Sequence, residues 1–176
     1  MSDCIIDTNV LLVASAHHPD SPFKDSDVPI EQLKEVFEWL TKFRVDGQRK
    51  IVLDQFWKIM AEYRHKMTDQ DFGLQVVKEK LQQSARFIDV PYDRHGHGRL
   101  PPELEKVIHD KSDRKFVATA LIDVAEGGQS TIINAVDSDW CDWEDALGSH
   151  GITVTHLIED LCRDKHPMKT KRKAKR

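Results

Sequence analysis

Cysteine is scarce in this chain. Cys4, Cys141 and Cys162 stand far apart among 176 residues. They form no CxxC pair and none of the spacings that zinc sites use. Three reduced thiols in a cytoplasmic protein are therefore the expectation. Long apolar runs are missing too. None approaches the ~20 residues that cross a bilayer, so no membrane partner is expected. The first residues lack a basic segment followed by a long apolar stretch, so no secretory signal is expected. There is no P-loop, no GxGxxG and no HExxH, and no Ser-His-Asp or Cys-His set competes for attention. Acids are absent after residue 164.

What is present is an ordinary globular composition, 39% hydrophobic and 32% charged, in a length that suits one domain with a real core. The net charge of −4 hides an asymmetry. Residues 1–164 carry 19 basic and 30 acidic side chains, while 165–176 carry 7 basic ones and no acid. The reading is one domain over 1–164 followed by a basic tail. "KHPMKTKRKAKR" cannot bury apolar area and is expected to be disordered when free. Its functional reading is a tether to phosphate backbone, and its plain reading is a solubilising end.

Short apolar runs alternate with helical patterns. Residues 4–7, 51–54, 86–90, 131–136 and 152–156 read as strands, the last followed by a helical turn or two. Helices are expected over 8–17, 30–43, 55–67, 70–84, 103–110 and 113–126, from apolar spacing and from the stop at Gly127-Gly128. Residues 17–29 and 91–102, rich in Pro or Gly, read as loops. This alternation predicts an α/β domain with a mostly parallel sheet. Ligands of such sheets bind beyond the carboxyl ends of the strands, at a topological switch point.

Carboxylates are released at those ends. In "CIIDTNV" an apolar strand runs straight into Asp7, which reads as a helix cap or as a metal ligand. Asp137 leaves the strand over 131–136 in the same way, and Asp139 follows, although Asp-Ser-Asp is also ordinary turn chemistry. Asp113 heads the apolar stripe of Phe116, Val117, Ala120, Leu121 and Val124, which points it inward, with Ser112 the better cap. Glu62 lies at the rim of the stripe of Phe56, Met60, Tyr63 and Met67, and alone reads as solvated. Asp54 reads as a cap. Carboxylates held together repel unless a cation joins them. An all-oxygen set suits Mg²⁺ or Mn²⁺, whose bound water can serve as a nucleophile towards a phosphodiester.

Taken in order, "IIDTNVLL", "VLDQFWKIMAEYRHK", "SDRKFVATAL" and "INAVDSDW" resemble the motifs of the PIN-domain nucleases, and "GITV" resembles that family's last strand. The resemblance runs through residues 5–140. It implies a three-layer α/β/α sandwich with a small, mostly parallel sheet, and metal-dependent endonucleolytic cleavage of RNA. It implies an acidic catalytic pocket of Asp7, Glu62, Asp113 and Asp137 that holds Mg²⁺ or Mn²⁺, with Asp139 joining directly or through water. Thr8 or Asn9 would support the first aspartate. Val136 departs from the polar or basic residue usual before the last motif's acid. By analogy with compact members, a homodimer, or a toxin held by a small antitoxin-like protein, is also implied.

Smaller signals surround this set. Lys111, Arg114 and Lys115 flank Asp113 and either steer a phosphate or begin a solvated helix. Trp140 and Trp143, beside the last acidic motif, are candidates for stacking RNA bases, whereas Trp39 and Trp57 read as core. His95 and His97 belong to a loop flanking the substrate, or do nothing special. Two rivals stand beside a nuclease. One is a catalytically silent PIN-like module that binds RNA or a protein. The other is a haloacid-dehalogenase-type phosphatase, which requires an Asp where Asn9 stands.

Overall fold

The strand that carries the first aspartate is the centre of the sheet. In the computed structural model, which describes residues 2–16, 21, 24, 28–158 and 160, β1 (Cys4–Ile6) lies between β2 (Ile51–Asp54) and β4 (Thr131–Asn134). Outside them lie β3 (Ala85–Ile88) and β5 (Thr153–His156), giving the order β3-β2-β1-β4-β5 with every pairing parallel. A strand buried on both faces can be apolar at every position. β1, β2 and β4 are buried at every residue.

Helices cover the sheet to make a three-layer α/β/α arrangement. They are α1 (Thr8–Ala14), α2 (Ile30–Val45), α3 (Lys58–Lys66), α4 (Phe72–Gln83), α5 (Pro102–Glu105), α6 (Arg114–Ala125) and α7 (Asp139–Gly148). α1, α2 and α4 pack on one another, while α6 crosses β1, β2, β3 and β4. α6 is buried from Lys115 through Ala120, which explains its apolar composition with small residues at Ala118 and Ala120.

The expected elements are present, with shifted ends. α1 stops at Ala14 rather than at residue 17. The helix expected over 103–110 is a single turn. The helix expected from residue 55 begins at Lys58, because Trp57 adopts a left-handed conformation (φ 60°) that interrupts it. Asp54 is a cap, as expected: its carboxylate accepts the N–H groups of Lys58 (2.9 Å) and Ile59 (2.8 Å). α7 was not anticipated. Trp140, Trp143 and Leu147 are its buried stripe, at helical spacing. Most of the loop 17–29, the turns after β5 and the basic tail lie outside the described residues. Cys4 is a buried free thiol, but Cys141 is disulfide-bonded, which corrects the expectation of three reduced thiols. Among the described residues no helix is long and apolar enough to cross a membrane.

The loop after β3 folds back on itself, with Tyr92 bridged to Gly98, and rests on the first turn of α6. A Cβ at Gly98 would fall 2.6 Å from the Arg114 carbonyl and 2.9 Å from the Ala118 methyl. Gly98→Ala is therefore expected to destabilise the fold by about 1–3 kcal/mol, read as a lower denaturation midpoint. An unchanged midpoint would mean that this loop does not bear on α6.

Candidate active site

Asp7 answers to both of its readings. It is the N-cap of α1, and its Oδ1 accepts the Asn9 N–H at 2.9 Å. Its Oδ2 accepts the indole N–H of Trp140. Only 5% of Asp7 is exposed. Burial raises its pKa to about 7, against the Asn9 and Trp140 hydrogen bonds, and the charges of Asp137 and Glu62 push the same way as burial. A plain surface cap would show no such rise, since a helix N-terminus favours the anion.

Asp113 is stranger. It stands at the start of α6 but makes no side-chain capping bond, and no described residue donates a hydrogen bond to its carboxylate. Only 8% of it is exposed. Its pKa rises to about 8, first through burial and then through Asp7, Asp110 and Asp137, with Lys115 opposing. The cap expected at Ser112 is not formed: that hydroxyl donates to Asp110 Oδ1. A nearly buried, unbonded carboxylate among like charges is costly in a protein with no other use for it.

Asp137 is half-buried beyond the end of β4, where its Oδ1 accepts the Asp139 N–H at 2.8 Å. Asp139 thus begins α7 with its backbone turned to Asp137. The charges of Asp7 and Asp137 act on Asp113, and that of Asp137 on Asp7, so three carboxylates from three separate segments lie near one another. Asp7 and Asp137 leave β1 and β4, where the strand order reverses, so these acids sit at the topological switch point.

Glu62 joins this group through partners. It accepts the Thr8 hydroxyl and pairs with the Lys115 ammonium, which also donates to the Ser112 carbonyl. Thr8 therefore touches Glu62 rather than Asp7. Among the described residues, no three of the His, Cys, Asp and Glu side chains are grouped as a ready-made metal site. The expected set of Asp7, Glu62, Asp113, Asp137 and Asp139 does not close on one point.

The flanking residues have settled roles. Lys111 is exposed in the turn before α6. Arg114 is turned away to the carbonyls of Ile108 (3.3 Å) and Glu105 (3.0 Å), so it braces α5 instead of reaching for a phosphate. Trp140 is fully buried and packs edge-on against Trp143 at 5.2 Å. It has no open face for an RNA base, and its role is to hold Asp7.

Two supports, Tyr63 and Asn134, escaped the sequence reading. The Tyr63 hydroxyl donates to the Ile6 carbonyl and fixes the end of β1. Asn9 Oδ1 accepts the N–H groups of Ala135 (2.9 Å) and Val136 (3.3 Å), while its amide donates to Asn134 Oδ1 at 3.0 Å. Asn9 is thereby spent on tying the start of α1 to the end of β4, which leaves no acid–base group where a dehalogenase-type phosphatase needs one. The buried Asn134 also bonds both backbone groups of Asp137 and His156 Nδ1. A polar residue closing an otherwise apolar strand was the available signal for Asn134. Comparison with protein-family models, with curated proteins and with solved structures finds no match to this chain.

Proposed function

We propose that this protein is a metal-dependent endoribonuclease of the PIN type, cleaving RNA phosphodiesters at the opening ringed by Asp7, Asp113 and Asp137. The observation that carries this reading is Asp113, a nearly buried carboxylate with no hydrogen-bond donor, held beside two other acids at the switch point of a parallel sheet. The cation that acts on it, Lys115, is already paired with Glu62. The donor set is all oxygen, which fits Mg²⁺ or Mn²⁺. Mg²⁺ keeps several waters and takes only one or two carboxylates directly, so acids that surround an opening without closing on one point suit it. Asp7, Asp113 and Asp137 would hold the ion, with Asp139 near. When bound, the ion would neutralise phosphate oxygens and supply an activated water.

The chain's own groups prepare that chemistry. Trp140 and the Asn9 N–H fix both oxygens of Asp7. Asn134 fixes the backbone of Asp137. Lys115 balances Glu62 and presents a cation beside the acids, where an incoming phosphate needs one. Asp113, with a pKa of about 8, keeps a proton at neutral pH until a cation favours its ionised form. RNA as substrate fits a cytoplasmic location. The disulfide at Cys141 does not support that location, because reducing compartments keep thiols open. A toxin role with an inhibitory protein partner, and a homodimer, follow the resemblance alone.

The test is incubation of the purified chain with generic single-stranded RNA, with and without Mn²⁺. Internal fragments that need Mn²⁺ and vanish with EDTA are expected. RNA that stays intact under both conditions would sink the enzyme. One observation favours the second reading, a silent module that only binds: Glu62 is already engaged by Thr8 and Lys115. RNA retention without cleavage would establish it.

A further inference from the structure

The carboxyl ends of β2 and β3 carry a second feature, beside the acids but not part of them. Most of the large apolar side chains in the protein are buried, yet Phe56 is 59% exposed, Trp57 46% and Phe87 39%. Trp57 and Phe87 lie 5.1 Å apart, ring centre to ring centre, and Phe56 meets Tyr92 edge-on at 5.9 Å. Trp57 is the only non-glycine residue with positive φ among those described. A left-handed conformation is disfavoured for any residue with a Cβ, and held strain of this kind clusters at ligand sites. Here it keeps a large indole out in solvent.

A cleft of about 430 Å³ is lined by Phe56 and Tyr92 with Lys58, Asp89, Asp93 and Arg94, within the roughly 300–1,000 Å³ of small-ligand clefts, and Trp57, next in sequence to Phe56, stands outside that lining with Phe87. The Lys58 ammonium lies 6.0 Å from the Tyr92 ring centre. Asp93 is engaged by the N–H groups of His95 (2.8 Å) and His97 (2.9 Å). α3 starts at this cleft with Lys58 and goes on to exposed Arg64, His65 and Lys66, so Glu62 is its only acid. Glu62 lies one helical turn from Lys58, about 6 Å of rise. A single short helix thus joins the aromatic surface to the acidic opening.

We propose that Phe56, Trp57 and Phe87, with Lys58 and Arg94 at the rim, form a stacking shelf for unpaired bases of single-stranded RNA entering the acidic opening. This inference rests on the nuclease reading above. Bare rings beside cations match a base beside its phosphate. The carboxylates of Asp89 and Asp93 repel the phosphate, which keeps the backbone on the Lys58 and Arg94 side of the cleft. A protein partner would match the rings but not the basic face of α3. Duplex RNA keeps its base faces covered, so the shelf selects single strands.

The test is binding of a short fluorescein-labelled oligo-uridine in EDTA, with a duplex as control. Trp57→Gly removes the ring at a position where glycine is unstrained, so the fold is kept. Phe56→Ala removes an exposed ring. Each is expected to weaken oligo-uridine binding about 10-fold, as for one lost stacked base, with Trp57→Phe retaining most of the affinity. Lys58→Ala should flatten the slope of log affinity against log salt by about 0.7. Wild-type affinity in both ring variants overturns the shelf, and if the wild type still cuts RNA, the nuclease reading survives. Binding that depends on the rings in a protein that never cuts keeps the shelf and removes the nuclease. Ring variants that lose self-association instead of RNA would assign the surface to a second copy and overturn the proposal.

Discussion

Asp113→Asn is expected to lower RNA cleavage by at least about 10²-fold while making the metal-free protein more stable. Few substitutions combine those outcomes. The side chain keeps its shape and loses the charge that burial and Asp7, Asp110 and Asp137 oppose. An aspartate whose pKa rises on folding holds its proton more tightly folded than unfolded. Its contribution to stability is full below the unfolded pKa of 3.8 and is lost as pH climbs to about 8. The gain in Asp113→Asn should therefore be largest at pH 8 and less than half as large at pH 5. At the few °C per kcal/mol usual for this chain length, an increase in Tm of about 5 °C or more at pH 8 is expected. Mn²⁺ should raise the Tm of the wild type by mass action and leave Asp113→Asn nearly unmoved. Wild-type cutting by this variant would remove the mechanism, and equal Tm gains at both pH values would remove its electrostatic basis.

Asn134→Ala is expected to be the most damaging change outside the acids. Asn134 has four partners within 2.8–3.2 Å: Asn9, both backbone groups of Asp137, and His156. Alanine leaves the Asn9 amide and the Asp137 backbone groups without their partner in a part-buried place. Unmade buried bonds cost about 1–3 kcal/mol each, so a loss of roughly 3–5 kcal/mol is expected, a fall in Tm on the order of 10 °C. Cleavage should fall as well, since Asp137 is no longer held by its backbone. His156→Ala removes one bond and should cost far less. An Asn134→Ala protein that melts within about 2 °C of the wild type would show that the clamp between the start of α1 and the end of β4 lies elsewhere.

The sheet was legible because a strand buried on both faces is apolar through its middle, as "IVLD" and "TIIN" are, each closed by one polar residue. Asp7 and Asp113 were legible because each breaks an apolar pattern at its end. The tryptophans were misread in opposite directions. Trp140 and Trp143 sit in an acidic stretch that looked like turn, but together with Leu147 they are the buried stripe of α7. Trp57 lies in an apolar-looking run, and its backbone conformation, which no local pattern announces, turns it outward. Lys115 and Arg114 looked alike in sequence. Only the packing of α5 and α3 around the first turn of α6 separates a brace from a charge partner. Asn134 was hidden for a related reason, since its partners arrive from positions 9, 137 and 156.

The central position of β1 also has a consequence for how the protein is made. Its neighbours pair Cys4 with Ile51 on one side and with Thr131 on the other. Asp137 leaves the ribosome 130 residues after Asp7. At about 5–20 residues per second, the nascent chain waits roughly 6–26 s with one flank of its middle strand bare. During that interval the three carboxylates cannot meet. The same interval exposes an apolar edge, because closure of such distant pairings is slow.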